Sequence, residues 1–311
     1  MVEKLTRVSG VVAAFILLLT AVLTLSLVEP ASSTTRRATP PYATVTVASF
    51  NLLGASHTPS GSKWASAATR MGYTKQLLEQ HHVQVAGFQE MQATQVAKFQ
   101  QLMGTTWSLY PGTQLGARIG ENSVGWRTDA FDLVWASTVN IPYFNGNIRP
   151  MPVVVLREKS TGLMSYFTNF HNPADTSEYR NQGAYRAEAT RIEIALHNQL
   201  AQYGIPRFMT GDVNERASWF CRVVAGAPLK AARPQSTYAD GVCSAGSPRA
   251  VDWLLGSTEQ PFSGYLEDRS DLVDKTSDHP MIVSDATLDA AIFPNALSPS
   301  APPQLDPNAV Y

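Results

Sequence analysis

Phe208-Met209-Thr210-Gly211-Asp212-Val213-Asn214 joins a short apolar run to a carboxylate and an amide two residues apart. The run predicts a strand, and a carboxylate beside a neutral oxygen donor at its end suits a hard divalent cation with a phosphate next to it. Gly-Asp and Asp-x-Asn are also ordinary turn chemistry, so the stretch takes its meaning from partners elsewhere. Four more strand-like runs carry polar groups at one end. Thr44–Asn51 ends on an amide, Val83–Glu90 on a carboxylate, Met164–Phe170 runs into His171, and Asp278-His279-Pro280 precedes Met281–Ser284. Singly, each has a structural explanation: Asn51 suits a turn cap, Glu90 a helix start, His171 a satisfied core position. Their recurrence at strand ends points to one site of carboxylates, amides and imidazoles. Such a set can neutralise a phosphate, align a water and move a proton near neutral pH.

The elements that must position these groups follow from periodicity. Ala65–His82 reads as a helix with Met71, Leu77 and Leu78 on one side. A second helix carries Val96, Phe99, Leu102 and Met103 and stops at Gly104; a third carries Ala189, Ile192, Leu196, Leu200 and Tyr203 and closes at Gly204. From Trp107 the period changes to two, giving candidate strands Ser123–Arg127, Phe131–Val139, Met151–Arg157 and Met164–Phe170, with a hairpin turn at Lys159–Gly162. Val251–Leu255 and Met281–Ser284 complete the set. Several strands follow one another without helices, so two packed sheets with helices outside fit better than a purely parallel sheet.

Lys4 and Arg7 precede an apolar run from Val11 to Val28, an export signature. Residues 1–28 read equally as a signal-anchor helix or as a cleaved signal peptide ending near Ala31-Ser32-Ser33, and either leaves the body outside the cytoplasm. Residues 29–43 read as a flexible linker, 44–291 as the folded domain, and 292–311 as a loose Pro-rich tail. The formal net charge is -1 over 311 residues, with no basic stripe, so tight electrostatic binding of nucleic acid is not advertised. An even count of two cysteines in an exported chain favours a Cys221–Cys243 disulfide over a metal site.

Ser49-Phe50-Asn51, Gln89-Glu90, Thr168-Asn169-Phe170-His171, Gly211-Asp212-Val213-Asn214, Val251-Asp252-Trp253 and Ser277-Asp278-His279-Pro280 occur in an order that resembles the endonuclease/exonuclease/phosphatase superfamily. The resemblance spans about Val45 to Thr287. It implies an α+β fold, a four-layer α/β/β/α sandwich of two mixed sheets flanked by helices. It also implies Glu90 as the principal metal ligand, with Asn51 and Asp278 assisting, and Mg2+ or Mn2+ as the cofactor. Asp212 and Asn214 then face the attacking water and the phosphate, and His171 donates to a phosphate oxygen. His279, oriented by Asp252, is general base or transition-state partner; Arg149 matches a phosphate-contacting arginine. The cysteines fall where the deoxyribonuclease branch carries a disulfide.

Two departures stand out: Val213 replaces a larger residue, and Asn172-Pro173-Ala174-Asp175 after His171 maps onto no substrate group. The implied activity is an exported, metal-dependent phosphodiesterase, foremost a nuclease. The alternatives are a phospholipase-C-like enzyme or phosphomonoesterase on lipid headgroups or small esters, and a non-catalytic surface binding protein on the same fold. The expected partner is a phosphate-ester substrate, with membrane anchoring through residues 8–28 and no protein partner.

Overall fold

Alternation in the first strand, β1 (Tyr42–Asn51), turns Val45 and Val47 toward a second sheet and Ala48 and Phe50 toward helices. A computed structural model of the chain describes residues 39–117 and 121–298. The apolar run 11–28, the linker up to residue 38 and the tail from 299 onward lie outside the described residues. Among those described, no helix is long and apolar enough to cross a membrane.

After β1 come α1 (Ala67–Gln80), β2 (Val85–Gln89), α2 (Ala93–Met103), β3 (Trp107–Tyr110), β4 (Ser123–Arg127), β5 (Phe131–Pro142), β6 (Ile148–Glu158), β7 (Met164–His171) and α3 (Gly183–Ala201). β8 (Arg207–Asp212), α4 (Ala217–Gly226), β9 (Leu229–Ala231), β10 (Thr237–Ala239), β11 (Val242–Ser244), β12 (Asp252–Ser257), β13 (Phe262–Asp268), α5 (Asp271–Thr276) and β14 (Met281–Asp289) complete the chain. One six-stranded sheet has the order β13-β14-β1-β2-β4-β3 and the other β5-β6-β7-β8-β12-β9. Each is antiparallel except for one parallel pair, β1 with β2 and β7 with β8. Met71, Leu77, Val96 and Phe99 of α1 and α2 pack on the first sheet, and Leu196, Trp219 and Phe220 of α3 and α4 belong to the core of the second. The expected α/β/β/α sandwich of two mixed sheets is the observed architecture.

The sheets meet through polar groups as well as apolar ones. Ser49 Oγ accepts from Gly211 N at 3.1 Å, and Gln89 Nε2 donates to Asn169 Oδ1 at 2.6 Å. Gly87 leaves room for this contact, since a Cβ there would lie 1.9 Å from Thr210 Oγ1. These buried hydrogen bonds fix the register of one sheet over the other, because a slip would break them.

Sequence periodicity misses α4, α5, the β10–β11 hairpin, β9 and β13. All are short, and β10, β11 and much of β13 show little buried alternation. Residues 292–298 are not a loose tail: a short 3-10 turn over Pro294–Leu297 buries Ala296, and Asn295 Nδ2 donates to Tyr203 O. Cys221 on α4 and Cys243 on β11 form a disulfide between positions 22 apart in sequence. Its removal by Cys221→Ala with Cys243→Ala is expected to cost about 3 kcal/mol by chemical denaturation. An unchanged midpoint would mean that the bridge does not restrict the unfolded chain.

The segment carrying α5 is anchored by Asp268, which accepts from Ser270 N at 2.8 Å and sits 2.7 Å from His81 Nε2. Burial alone would raise this carboxyl, but hydrogen bonds from Ser270 and His81 outweigh it and hold it below the ordinary range. A depressed carboxylate adds stability above its unfolded value and loses it as pH falls through the folded value. Asp268→Asn is therefore expected to cost about 1–3 kcal/mol at pH 7. The deficit should shrink as pH is lowered below about 4; a deficit constant from neutral to acid pH would show that the charge is not involved.

Candidate active site

Strand direction brings the polar groups to one edge. The parallel pair β1 and β2 ends at Asn51 and Gln89, with Glu90 next, and the parallel pair β7 and β8 ends with His171 opposite Asp212. β12 runs antiparallel to β8, so its first residue, Asp252, lies opposite Asp212 as well. β14 is antiparallel to β1, which puts Asp278 and His279, just before it, near the end of β1. Ser277 Oγ seals that junction by donating to Asn51 O at 2.7 Å.

Asp212 is the centre. Its Oδ2 lies 3.6 Å from Nε2 of both His171 and His279 and accepts from Asn51 Nδ2 at 2.9 Å. Asn51 Nδ2 also donates to Glu90 Oε1 at 3.0 Å, while its Oδ1 accepts from Leu53 N. The amide thus holds two carboxylates side by side and turns its oxygen away from them. Glu90 Oε2 accepts from Gly54 N at 2.8 Å and lies 3.5 Å from His57 Nε2. Burial alone would raise the Glu90 carboxyl; His171, Asn51, Gly54 and His57 together lower it, so it stays ionised.

His279 Nδ1 is 3.1 Å from both oxygens of the buried Asp252, which fixes the ring and leaves Nε2 facing Asp212. Burial alone would depress the imidazolium, yet Asp252, Asp212 and Asp278 outweigh it and raise its proton affinity. Asp278 itself is exposed, and its carboxylate lies outside the clusters of ligating atoms. Asn214 has a left-handed backbone, φ 53°, held by a bond from its N to Asp212 Oδ1 and from its Nδ2 to Asn172 O at 2.8 Å. Val213, between them, is fully buried, and its N–H donates to Val251 O; the short aliphatic side chain fills core space.

Sequence reasoning missed Tyr143, whose hydroxyl lies 3.1 Å from His171 Nδ1 and whose ring sits 5.7 Å below the Arg149 guanidinium. The available signal was its place just past the apolar strand β5. Burial, with Glu90 and Asp212 nearby, keeps the phenol protonated. Arg149 lies within β6, and its charge reaches Glu121, whose carboxyl burial raises. Arg70 was missed too. It is fully buried on α1 and donates to the carbonyls of Leu53 at 2.6 Å and Thr276 at 2.9 Å, joining the loop after Asn51 to the segment before Asp278. Its spacing to Thr74 and Leu77 marked it as part of the buried stripe.

Glu90, His171 and Asp212 offer ligand atoms that all lie within 4.8 Å of one another, as do Asp212, Asp252 and His279. The first set, two carboxylates and an imidazole, fits a divalent cation by charge and donor type.

No family model and no curated protein matches the sequence. Solved structures do match. An endonuclease/exonuclease/phosphatase family protein from Bacteroides thetaiotaomicron is 19% identical, with TM-score 0.64, over 82% of this chain and 99% of that one. A mannosyl-6-phosphatase from the same organism is 18% identical, with TM-score 0.60, over 78% and 99%. TDP2 from D. rerio, solved with a single-strand DNA product, is 14% identical, with TM-score 0.56, over 78% and 99%.

Proposed function

We propose that this chain, whose fold is that of endonuclease/exonuclease/phosphatase family proteins, is a metal-dependent phosphoesterase acting outside the cytoplasm, foremost as a nuclease-like phosphodiesterase. The observation that carries the reading is Asp212, with Oδ2 set between two imidazole Nε2 atoms and beside the carboxylate of Glu90. A phosphate ester repels an incoming water, so hydrolysis needs charge neutralisation, an aligned nucleophile and help for the leaving oxygen. A divalent cation would be held by Glu90 with Asp212 and would supply charge neutralisation. Asp212 and Asn214 orient the water, and Asp212 accepts its proton. His279 carries its proton on Nε2, with Asp252 stabilising the charge, and donates toward the phosphoryl group as negative charge builds. His171, backed by Tyr143, and Arg149 bind the other phosphate oxygens.

A nucleic acid is favoured over a bare sugar phosphate by a row of rings leading away from His171. Tyr143 lies 5.4 Å from it, Phe144 is 4.5 Å further, and Tyr179 stacks on Phe144 at 4.5 Å. Export is supported by Lys4 and Arg7 before the apolar run, and by a disulfide of the kind an oxidising compartment sustains.

The test is purified protein with Mg2+ or Mn2+ on plasmid DNA, RNA, sphingomyelin and simple phosphate esters. Cleavage of DNA or RNA that EDTA abolishes is expected. Turnover of monoesters alone would move the activity to the phosphomonoesterase reading, and no turnover of any substrate would leave a binding protein on this fold.

A further inference from the structure

The stretch after His171 has one residue whose side chain faces the interior rather than substrate. Asn172 is fully buried; its N donates to Asp212 O at 3.0 Å, and its O accepts from Asn214 Nδ2 at 2.8 Å. Its backbone therefore grips both residues of the Asp-x-Asn turn. The side-chain amide points the other way, beside the carboxyl of Glu193, which is also fully buried on α3. Neither the amide atoms of Asn172 nor Glu193 Oε1 makes a hydrogen bond. Glu193 Oε2 accepts from Trp219 Nε1 at 2.7 Å, at the start of α4. Trp219 packs against Trp253, 5.6 Å between centroids, and Trp253 Nε1 donates to Glu215 O, on the far side of the same turn.

We propose that Glu193 is a positioning residue for Asn214, holding the Asp212–Asn214 turn from behind through Asn172 on one side and Trp219 on the other. A buried carboxyl costs free energy unless its neighbours need it, and here the neighbours are the two supports of a turn whose Asn214 has a left-handed backbone. Burial raises this carboxyl to about 7, opposed by Trp219, Asn172 and Arg222 and reinforced by Glu215. Its Oε2 accepts from the indole, and its other oxygen lies against the Asn172 amide without a hydrogen bond. Glutamine reproduces both contacts; leucine reproduces neither. The role explains Asn172 without assigning it to substrate.

The inference rests on Asn214 serving hydrolysis, and the experiment separates the two claims. Amide exchange of peptide 210–216, which needs no substrate, is expected to speed at least tenfold in Glu193→Leu and to stay near wild type in Glu193→Gln, with the β1 peptide 44–50 unchanged in both. Turnover is expected to fall ten- to a hundredfold in kcat in Glu193→Leu, with KM within twofold, and to recover in Glu193→Gln. On an Asn214→Ala background Glu193→Leu should cost nothing further. If Glu193→Leu does not fold, Trp219→Phe, which removes the indole donor together with part of the buried ring, is expected to show the same exchange change. Unchanged exchange at 210–216, or a Glu193→Leu loss that persists in full on the Asn214→Ala background, overturns the proposal. Normal wild-type exchange protection lost in the variants, in a protein that hydrolyses nothing, would instead overturn the phosphoesterase reading and leave the positioning role standing.

Discussion

Replacing His279 by alanine is expected to lower turnover roughly a thousandfold, the scale of a positioned proton donor, while leaving the folded domain intact. The residue sits on the loop before β14, partly open to solvent, so its loss removes little packing. What it loses is specific. Nδ1 is committed to both oxygens of Asp252, and Nε2 faces Asp212, so the ring is held in one orientation with a proton aimed into the site. Asp252→Asn should keep the ring nearby but remove the charge that stabilises the imidazolium, and so cost less than His279→Ala. The double variant should be no worse than His279→Ala alone, because Asp252 acts through that ring. Steady-state kinetics beside a thermal melt decide it: near-wild-type turnover by folded His279→Ala would sink the assignment.

The site was legible in sequence because each of its groups ends or begins a strand, and strand ends are where an apolar run meets a polar residue. Asn51, Glu90, His171, Asp212 and His279 all declare themselves in that way, and strand direction then carries them to one edge. What stayed hidden works from behind. Arg70 and Glu193 are charged residues on amphipathic helices, where a charge ordinarily marks the wet face, so each was passed over although its spacing puts it on the buried stripe. Asn172, next to a catalytic-type histidine, maps onto no substrate group, and its side chain is buried beside Glu193. The orientation of Asn51 was equally invisible, since residue type cannot tell an oxygen ligand from an amide that aligns two carboxylates. Of the two missed helices, α5 has six residues, too few to display a period, whereas α4 does carry an apolar face at Trp219, Phe220, Val223 and Val224 that was passed over.

Glu90→Gln is expected to abolish hydrolysis and, more tellingly, to abolish stabilisation by a divalent cation. Glu90 and Asp212 are carboxylates brought within 4.8 Å of each other, with His171 the only imidazole in that cluster. Asn51 bridges them with one amide group, and the charge of His171, with hydrogen bonds from Asn51 and Gly54, holds Glu90 ionised despite burial. Two negative charges at that distance repel, so a cation that binds the folded site and not the unfolded chain adds stability. At a hundred times its dissociation constant the gain is about 2.7 kcal/mol. Glutamine keeps the shape and one acceptor for Asn51 or Gly54 but removes a charge. Without metal, Glu90→Gln should therefore be no less stable than wild type by more than about 1 kcal/mol, one hydrogen bond's worth. With Mg2+ or Mn2+ added, wild type should melt higher and the variant should not move. A metal-induced shift that survives Glu90→Gln would place the cation elsewhere, on the Asp212, Asp252 and His279 cluster. A shift absent from wild type would mean that the substrate-free site does not hold the cation.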